Sequence, residues 1–316
     1  MRRKPEAISA PGGRLAVLMA TFNGARFLDE QLRSIEQQSW DAIDIWASDD
    51  GSTDGTVEVL DRWAAGWSKG SMTRLEGPRQ GFAGNFRSLL ANPAVDADYV
   101  AFCDQDDVWL ADKTRAAVDA LAVHGDRPAL YCARTLITDE AGRDVSHSPL
   151  FRRAPEFANA LVQSISGGNT MVMNRAAHRL LREAATRTGF VSHDWFSYLI
   201  VSGAGGHVTY DAVPHVRYRQ HEQNLVGSNH ALGAKLNRVQ AAFGGRFSRW
   251  NEANVAAVEA CRDLLTPAAA AMFDRFRQAR TGPLPDRLVN LWRSGVYRQT
   301  TLGQVSLYAA GLLGKL

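Results

Sequence analysis

Three polar clusters close three apolar, β-like runs in the first 110 residues, and helical periodicity follows each cluster. The run Arg14 to Ala20 ends in Thr21-Phe22-Asn23-Gly24. Ile43, Ile45 and Ala47 alternate with more polar neighbours and lead into Asp49-Asp50-Gly51-Ser52-Thr53-Asp54-Gly55. Tyr99 to Cys103 ends in Asp104-Gln105-Asp106-Asp107. Met72 to Leu75 reads as a weaker strand. Between these runs, Phe27, Leu28, Leu32 and Ile35 recur at helical spacing, as do Val57, Leu60 and Trp63, and Gly81–Leu90 and Leu110–His124 read as further helices. Such alternation predicts an α/β fold with a parallel sheet covered on both faces. Ligands of such sheets bind beyond the carboxyl ends of the strands, where all these clusters fall.

After His124 the rhythm changes. Ala129–Arg134, Thr170–Asn174, Val208–Tyr210 and His215–Tyr218 read as strands. Arg175–Arg187 reads as a helix, and another starts at Ser192-His193-Asp194-Trp195 with Ser192 as N-cap. From Ala231 the chain is rich in Ala, Leu and Arg. Breaks at Gly244-Gly245, Pro267 and Gly282-Pro283-Leu284-Pro285 divide it into several amphipathic helices. The expected organisation is a tail over 1–13, a catalytic domain over 14–230 with halves 14–124 and 125–230, and a basic helical extension over 231–316.

The 316 residues, 45% hydrophobic and 22% charged, suffice for a large core and do not resemble a disordered chain. No run approaches the ~20 apolar residues of a membrane span. Leu15 to Ala20 is short and follows Pro11-Gly12-Gly13, so no signal peptide is expected. Cys103, Cys132 and Cys261 show no metal-site spacing and read as reduced core thiols of a cytosolic protein. The net charge of +3 is uneven. Residues 231–316 hold 12 Lys+Arg against 5 Asp+Glu, a net of +7, which leaves 24 against 28, a net of −4, for the first 230.

Asp104 and Asp106, two apart at a strand end, can face one cleft. Hard cations such as Mg2+ or Mn2+ prefer carboxylate oxygen and share phosphate ligands, so the pair could hold a metal against a diphosphate. A lone pair of this kind is also an ordinary solvated turn. In the Asp49 cluster a carboxylate could accept from a pyrimidine N–H, but Ser52, Thr53 and Asp54 are equally good helix caps.

Together, the clusters at Thr21, Asp49 and Asp104 resemble the nucleotide-sugar-binding domain of glycosyltransferase family 2, which is inverting and has the GT-A fold. The resemblance covers about Leu15 to Leu121. Gly167-Gly168-Asn169-Thr170-Met171-Val172-Met173-Asn174-Arg175 is similar to the family's acceptor-side loop and strand, and Ser192-His193-Asp194-Trp195-Phe196 to its second acidic motif. Tyr218-Arg219-Gln220-His221-Glu222-Gln223-Asn224 resembles a closing segment of the rhamnosyltransferase-like branch. The position of Phe22 is more often Tyr in the family, which removes one hydroxyl contact.

The resemblance implies a mixed sheet flanked by helices, with a C-terminal helical extension. It implies nucleotide-sugar contacts from Thr21, Asn23, Asp49, Asp50, Arg79, Gly81, Asn85, Asp104 and Gln105. Mn2+ or Mg2+ would sit on Asp104 and Asp106, with His221 as a further ligand. Gly168, Asn169, His193 and Trp195 would meet the acceptor, and Asp194 would be the general base. The donor would be dTDP- or UDP-linked, with rhamnose or another hexose. The acceptor would be a growing, lipid-linked surface polysaccharide, reached from the cytoplasmic side of the membrane. Inverting transfer needs a base on the face opposite the leaving group, and Asp194, beside Trp195 at a helix start, suits that place. A capping Asp beside a core Trp is the plain alternative.

The basic extension has two readings. Phe273, Phe276, Leu288, Leu291, Trp292 and Tyr297 could enter an anionic membrane interface with the Arg residues on the headgroups, or the helices could pack on the catalytic domain. No nucleic-acid motif accompanies the basic groups, so nucleic acid is not an expected partner. No GxGxxG or P-loop follows the first strand, which argues against a dehydrogenase or P-loop NTPase. A catalytically inactive nucleotide-sugar-binding scaffold and a sugar-phosphate nucleotidyltransferase stay open as rivals.

Overall fold

The computed structural model describes residues 12–221 and 246–316. The expected boundary at 230, the end of the segment that starts at Tyr218, most of the 1–13 tail and the break at Gly244-Gly245 lie outside the described residues.

The described elements run β1 (Leu15–Thr21), α1 (Ala25–Glu36), β2 (Ile43–Asp49), α2 (Thr56–Gly66), β3 (Met72–Glu76), α3 (Gly81–Ala91), β4 (Tyr99–Cys103), β5 (Val108–Trp109) and α4 (Lys113–Ala122). They continue with β6 (Ala129–Ala133), β7 (Leu136–Thr138), β8 (Asp144–His147), α5 (Phe157–Ala160), β9 (Val172–Asn174), α6 (Arg175–Arg187), α7 (His193–Gly203), β10 (His207–Asp211) and β11 (Val216–Arg219). After the second described stretch begins come α8 (Arg246–Ala260), α9 (Pro267–Thr281), α10 (Leu284–Arg293) and α11 (Thr301–Leu312).

Seven strands form the main sheet in the order β10-β6-β9-β4-β1-β2-β3. β1 is parallel to both neighbours, with Thr21 opposite Asp49 and Met19 opposite Cys103. The three polar clusters therefore leave the sheet at one edge. β1 alternates between two cores. Ala16 and Leu18 pack with α3, α6 and α7, whereas Leu15, Val17 and Met19 pack with α1, α2 and α4. Burial on both faces is why this strand reads as a continuous apolar run.

The sheet is not wholly parallel. β9 runs antiparallel between β4 and β6, with Val172 opposite both Ala101 and Tyr131. Asn174 fixes its end: Oδ1 accepts from Ala129 N and Ala177 N, which caps α6, and Nδ2 donates to the Gly125 and Arg127 carbonyls. A second, four-stranded sheet, β5-β11-β7-β8, was not legible in the sequence. It includes β5, so the expected helix from Leu110 starts only at Lys113.

The C-terminal helices pack onto the helices that cover the main sheet. Val258, Cys261, Phe273, Phe276 and Leu291 belong to the same core as Phe196, Leu199 and Met173. Phe273, Phe276, Leu291 and Tyr297 are buried and cannot meet a membrane; of the residues offered for that role, Trp292 is the exposed one. The three cysteines are free and buried.

Candidate active site

The first cluster is held by hydrogen bonds from the other two. Thr21 Oγ1 donates to Asp49 Oδ2 at 2.9 Å, and Ser52 Oγ donates to the same oxygen at 2.6 Å. Asp49 Oδ1 accepts from the backbone of Gly51 and Ser52. Asn23, with φ +49°, receives Thr53 N on its Oδ1 and donates its own N–H to Ser52 Oγ. Gln105 braces the same loop, accepting from Phe22 N at 2.8 Å and donating to Phe22 O at 3.0 Å. The loop passes so close that a Cβ at Gly24 would lie 2.2 Å from Gln105 Oε1.

Asp50 holds the segment after β3. Its oxygens accept from Arg79 N at 2.6 Å and Gly81 N at 2.7 Å, and Arg79 takes the left-handed φ of +58°. A non-glycine residue there is uncommon and marks an over-determined loop. Asn85 donates to Ser48 O at 2.8 Å. Thr21 and Asn85 are buried within this frame, as are Asp49 and Asp50. Phe22 projects into solvent.

The end of β4 meets the start of α7. Burial pushes the Asp104 carboxyl up from 3.8 to about 7, helped by the negative charges of Asp106 and Asp194. Burial also raises Asp194, to about 6, against the hydrogen bond it receives from the Trp195 backbone. Trp195 N donates to Asp194 Oδ1 at 2.7 Å. Two half-buried carboxylates from separate motifs thus lie close enough for their charges to interact, and perturbed groups of this kind mark a candidate functional site.

Beside them, His221 Nε2 lies 2.8 Å from Asp106 Oδ2, with its ring 5.0 Å from that of Phe27. The structure therefore brings His221 to the acidic cluster. Asp104, Asp106 and His221 offer hard-oxygen and imidazole donors suited to Mg2+ or Mn2+. Among the described residues no group of three or more His, Cys, Asp and Glu side chains is arranged to hold a metal ion.

The residues expected on the acceptor side are buried. Asn169 donates to Asp107 Oδ2 at 2.5 Å. His193 stacks on Phe86 at 3.7 Å between ring centres and meets Phe102 edge-on at 4.7 Å. Burial drives its pKa down to about 3, so the ring is neutral, and neither nitrogen has a hydrogen-bond partner. Gly168 makes room for it, since a Cβ there would stand 1.8 Å from His193 Nε2. Trp195 points into the core, with Nε1 bonded to Ala160 O, and not outward to meet an acceptor as expected. A helix-start side chain beside Asp194 is turned inward because α7 is apolar almost all round.

Asp107, Lys113 and Arg219 were missed in the sequence. Asp107 is buried, accepts from Asn169 and from Arg219 N, and is held well above the usual carboxylate range by burial and by Asp106 and Asp104. Arg219 donates to the Asp106 and Glu140 carbonyls and to Glu30, and its guanidinium lies 4.9 Å from the Phe27 ring centre. Lys113 is buried with Nζ 3.5 Å from the Trp109 ring centre, and burial lowers its pKa to about 7. These groups stand behind the cluster, and the sequence signals for them were the fourth residue of Asp104-Gln105-Asp106-Asp107 and the place of Arg219 in the segment that starts at Tyr218.

The model of glycosyl transferase family 2 matches residues 16–181, more than half of the chain. The chain belongs to glycosyl transferase family 2. It is 29% identical over 230 residues to the dTDP-rhamnosyl transferase RfbG of Shigella flexneri, covering 70% of this chain and 78% of that protein. It is 30% identical over 106 residues, 34% of this chain and 32% of the relative, to an uncharacterized glycosyltransferase, alr2836, of Nostoc. Among solved structures, S. aureus TarS 1-349 in complex with UDP-GlcNAc superposes with a TM-score of 0.54 at 14% identity, covering 89% of this chain and 79% of that one. That likeness establishes the GT-A fold. As a family 2 member the protein is a glycosyltransferase that takes its sugar from a nucleotide-sugar donor.

Proposed function

We propose that this family 2 enzyme transfers rhamnose or a related hexose from a dTDP- or UDP-linked donor to a hydroxyl of a growing, lipid-linked surface polysaccharide, with inversion. The donor reading is supported by the similarity to a protein named as a dTDP-rhamnosyl transferase. The nucleoside lies in the frame of Asn23, Asp49, Asp50, Arg79 and Gly81, with Thr21, Asn85 and Gln105 holding its loops. Asp50 has lone pairs left after accepting from Arg79 N and Gly81 N, enough to take a pyrimidine N–H.

Asp104 and Asp106 would hold a divalent cation, with His221, 2.8 Å from Asp106, as a further donor. When bound, that cation supplies charge neutralisation for the departing diphosphate. Asp194 takes the proton of the acceptor hydroxyl as its oxygen bonds to the anomeric carbon and the bond to the diphosphate oxygen breaks. The observation that carries this reading is the convergence of Asp194 and Asp104, from α7 and β4, in one cleft with raised carboxyl pKa values. A carboxylate with pKa about 6 is ionised at neutral pH yet basic enough to accept a proton in the transition state. Gly168, Asn169, His193 and Trp195 form the packed layer under the acceptor side and set the position of Asp194.

The test is a thermal-shift screen of dTDP- and UDP-sugars with and without Mn2+, followed by assay of nucleotide diphosphate release. Metal-dependent stabilisation and release are expected. Stabilisation without release on any acceptor would favour a binding scaffold instead.

A further inference from the structure

The transfer reaction leaves one surface of the C-terminal helices unexplained. The 12 residues of α11 include no charged side chain. Leu307 and Gly311 face the core, while Leu302 and Val305 are 80% and 62% exposed, and Leu312 and Leu313 are more than half exposed. At helical spacing Leu302, Val305, Ala309, Leu312 and Leu313 lie along one outward stripe. A helix that is apolar all round is ordinarily buried all round. On α10, Pro285, Val289 and Trp292 line the side opposite buried Leu291, and Trp292 is 71% exposed. Single exposed apolar residues are ordinary, but a cluster on adjoining helices marks an interaction surface.

Charge selects the partner. From Leu284 to Leu316 the exposed charges are Arg293 and Lys315 against Asp286, while Arg287 is turned onto the Gly282 and Gly311 carbonyls and Arg298 is partly buried. Arg275 adds to them, since its Nη1 donates to Arg293 O at the end of α10, next to Trp292. Two copies of so basic a face would repel each other, whereas an anionic surface complements it.

We propose that the outward faces of α10 and α11 dock this protein on an anionic lipid bilayer. The helices lie in the interface and do not cross it: the 12 residues of α11 rise about 18 Å, short of the ~30 Å hydrocarbon core. No helix among the described residues is long and apolar enough to span. Trp292 and the leucines enter the headgroup boundary, and the exposed Arg275 and Arg293 meet lipid phosphate.

The same helices are bolted to the acceptor side. Between α10 and α11, Tyr297 Oη donates to Ala154 O, Asn159 Nδ2 donates to Tyr297 O, and Gln299 N donates to Gln163 Oε1. Asn159 Oδ1 in turn accepts from Tyr198 Oη of α7, the helix that carries Asp194. Docking would thus hold the catalytic carboxylate at a fixed place relative to the bilayer, which gives a purpose that rests on the lipid-linked acceptor reading above.

Flotation of the full chain with phosphatidylcholine vesicles, with and without about one third phosphatidylglycerol, tests the docking. The protein is expected to float with the anionic vesicles and to be released by high salt. Leu302→Ser, Val305→Ser and Leu313→Ser combined should weaken binding by at least about tenfold. Arg275→Gln and Arg293→Gln should each cost about fivefold. Circular dichroism melts confirm that the variants fold. Equal recovery with neutral and anionic vesicles would overturn the proposal. So would absence of flotation, or a dimer in light scattering that the Ser variants break. Release of nucleotide diphosphate to water or a soluble saccharide is expected to be unchanged in the variants, so loss of flotation is separable from failure of the transfer reading.

Discussion

Asp107 Oδ2 accepts a hydrogen bond from Asn169 Nδ2 beneath the acidic cluster, while Asp107 Oδ1 accepts from Arg219 N. One buried carboxylate thereby ties the loop after β4 to the loop before β9 and to the end of β11. Removing a single donor leaves a buried acceptor under-satisfied, at about 1–3 kcal/mol. Asn169→Ala is therefore expected to lower the unfolding free energy by about that amount in a denaturant titration. A variant as stable as the parent would show that this bond does not hold the loops.

Gly168→Ala tests the packing beside the base. The new methyl meets an imidazole pinned between Phe86 and Phe102, not the free end of a flexible chain. Overpacking of this kind costs about 1–3 kcal/mol. The same displacement of His193 moves its neighbour Asp194, so kcat is expected to fall while the donor Kd stays within about twofold. An unchanged kcat would show that the layer under Asp194 does not set its position.

The raised carboxyls give a pH dependence with a definite sign. A group whose folded pKa exceeds its unfolded value stabilises the fold below the unfolded pKa and loses that contribution as pH rises through the folded value. For Asp104 and Asp194 the loss runs from the ordinary 3.8 up through about 7 and about 6. The metal-free protein should therefore gain more from Mn2+ at about pH 8 than at about pH 5, where protons compete for Asp104. Asp104→Asn should raise the metal-free Tm by roughly 2–5 °C at about pH 8 while removing the Mn2+ response. A Mn2+ shift that is the same at both pH values, or that survives in the variant, would contradict the assignment.

Much of the nucleotide half was legible because local signals agree there. β1 is buried on both faces, so it reads as an apolar run, and Thr21, Asp49 and Asp104 mark the strand ends directly. The antiparallel β9 and the small second sheet were not legible. Strand direction is set by partners far along the chain, such as Val172 with Ala101 and Val216 with Trp109. The start of α7 at His193 was legible, yet Trp195 and His193 were expected to meet the acceptor, because an aromatic beside a carboxylate looks the same in sequence whether it faces a sugar or the core. Asp107 and Arg219 escaped notice for a related reason: their partners are 62 and 112 residues apart from Asp107 along the chain.

The most direct measurement pairs kinetics with calorimetry on Asp194→Asn. Asparagine keeps the size of the side chain but cannot take the hydroxyl proton. The wild-type kcat should also fall on the acid side with an apparent pKa near the Asp194 value of about 6. With nucleotide sugar, Mn2+ and a saccharide acceptor, Asp194→Asn should lose about 10²–10⁴ in transfer rate and keep donor affinity within about twofold. Transfer near the wild-type rate in this variant would contradict the assignment of Asp194 as the base.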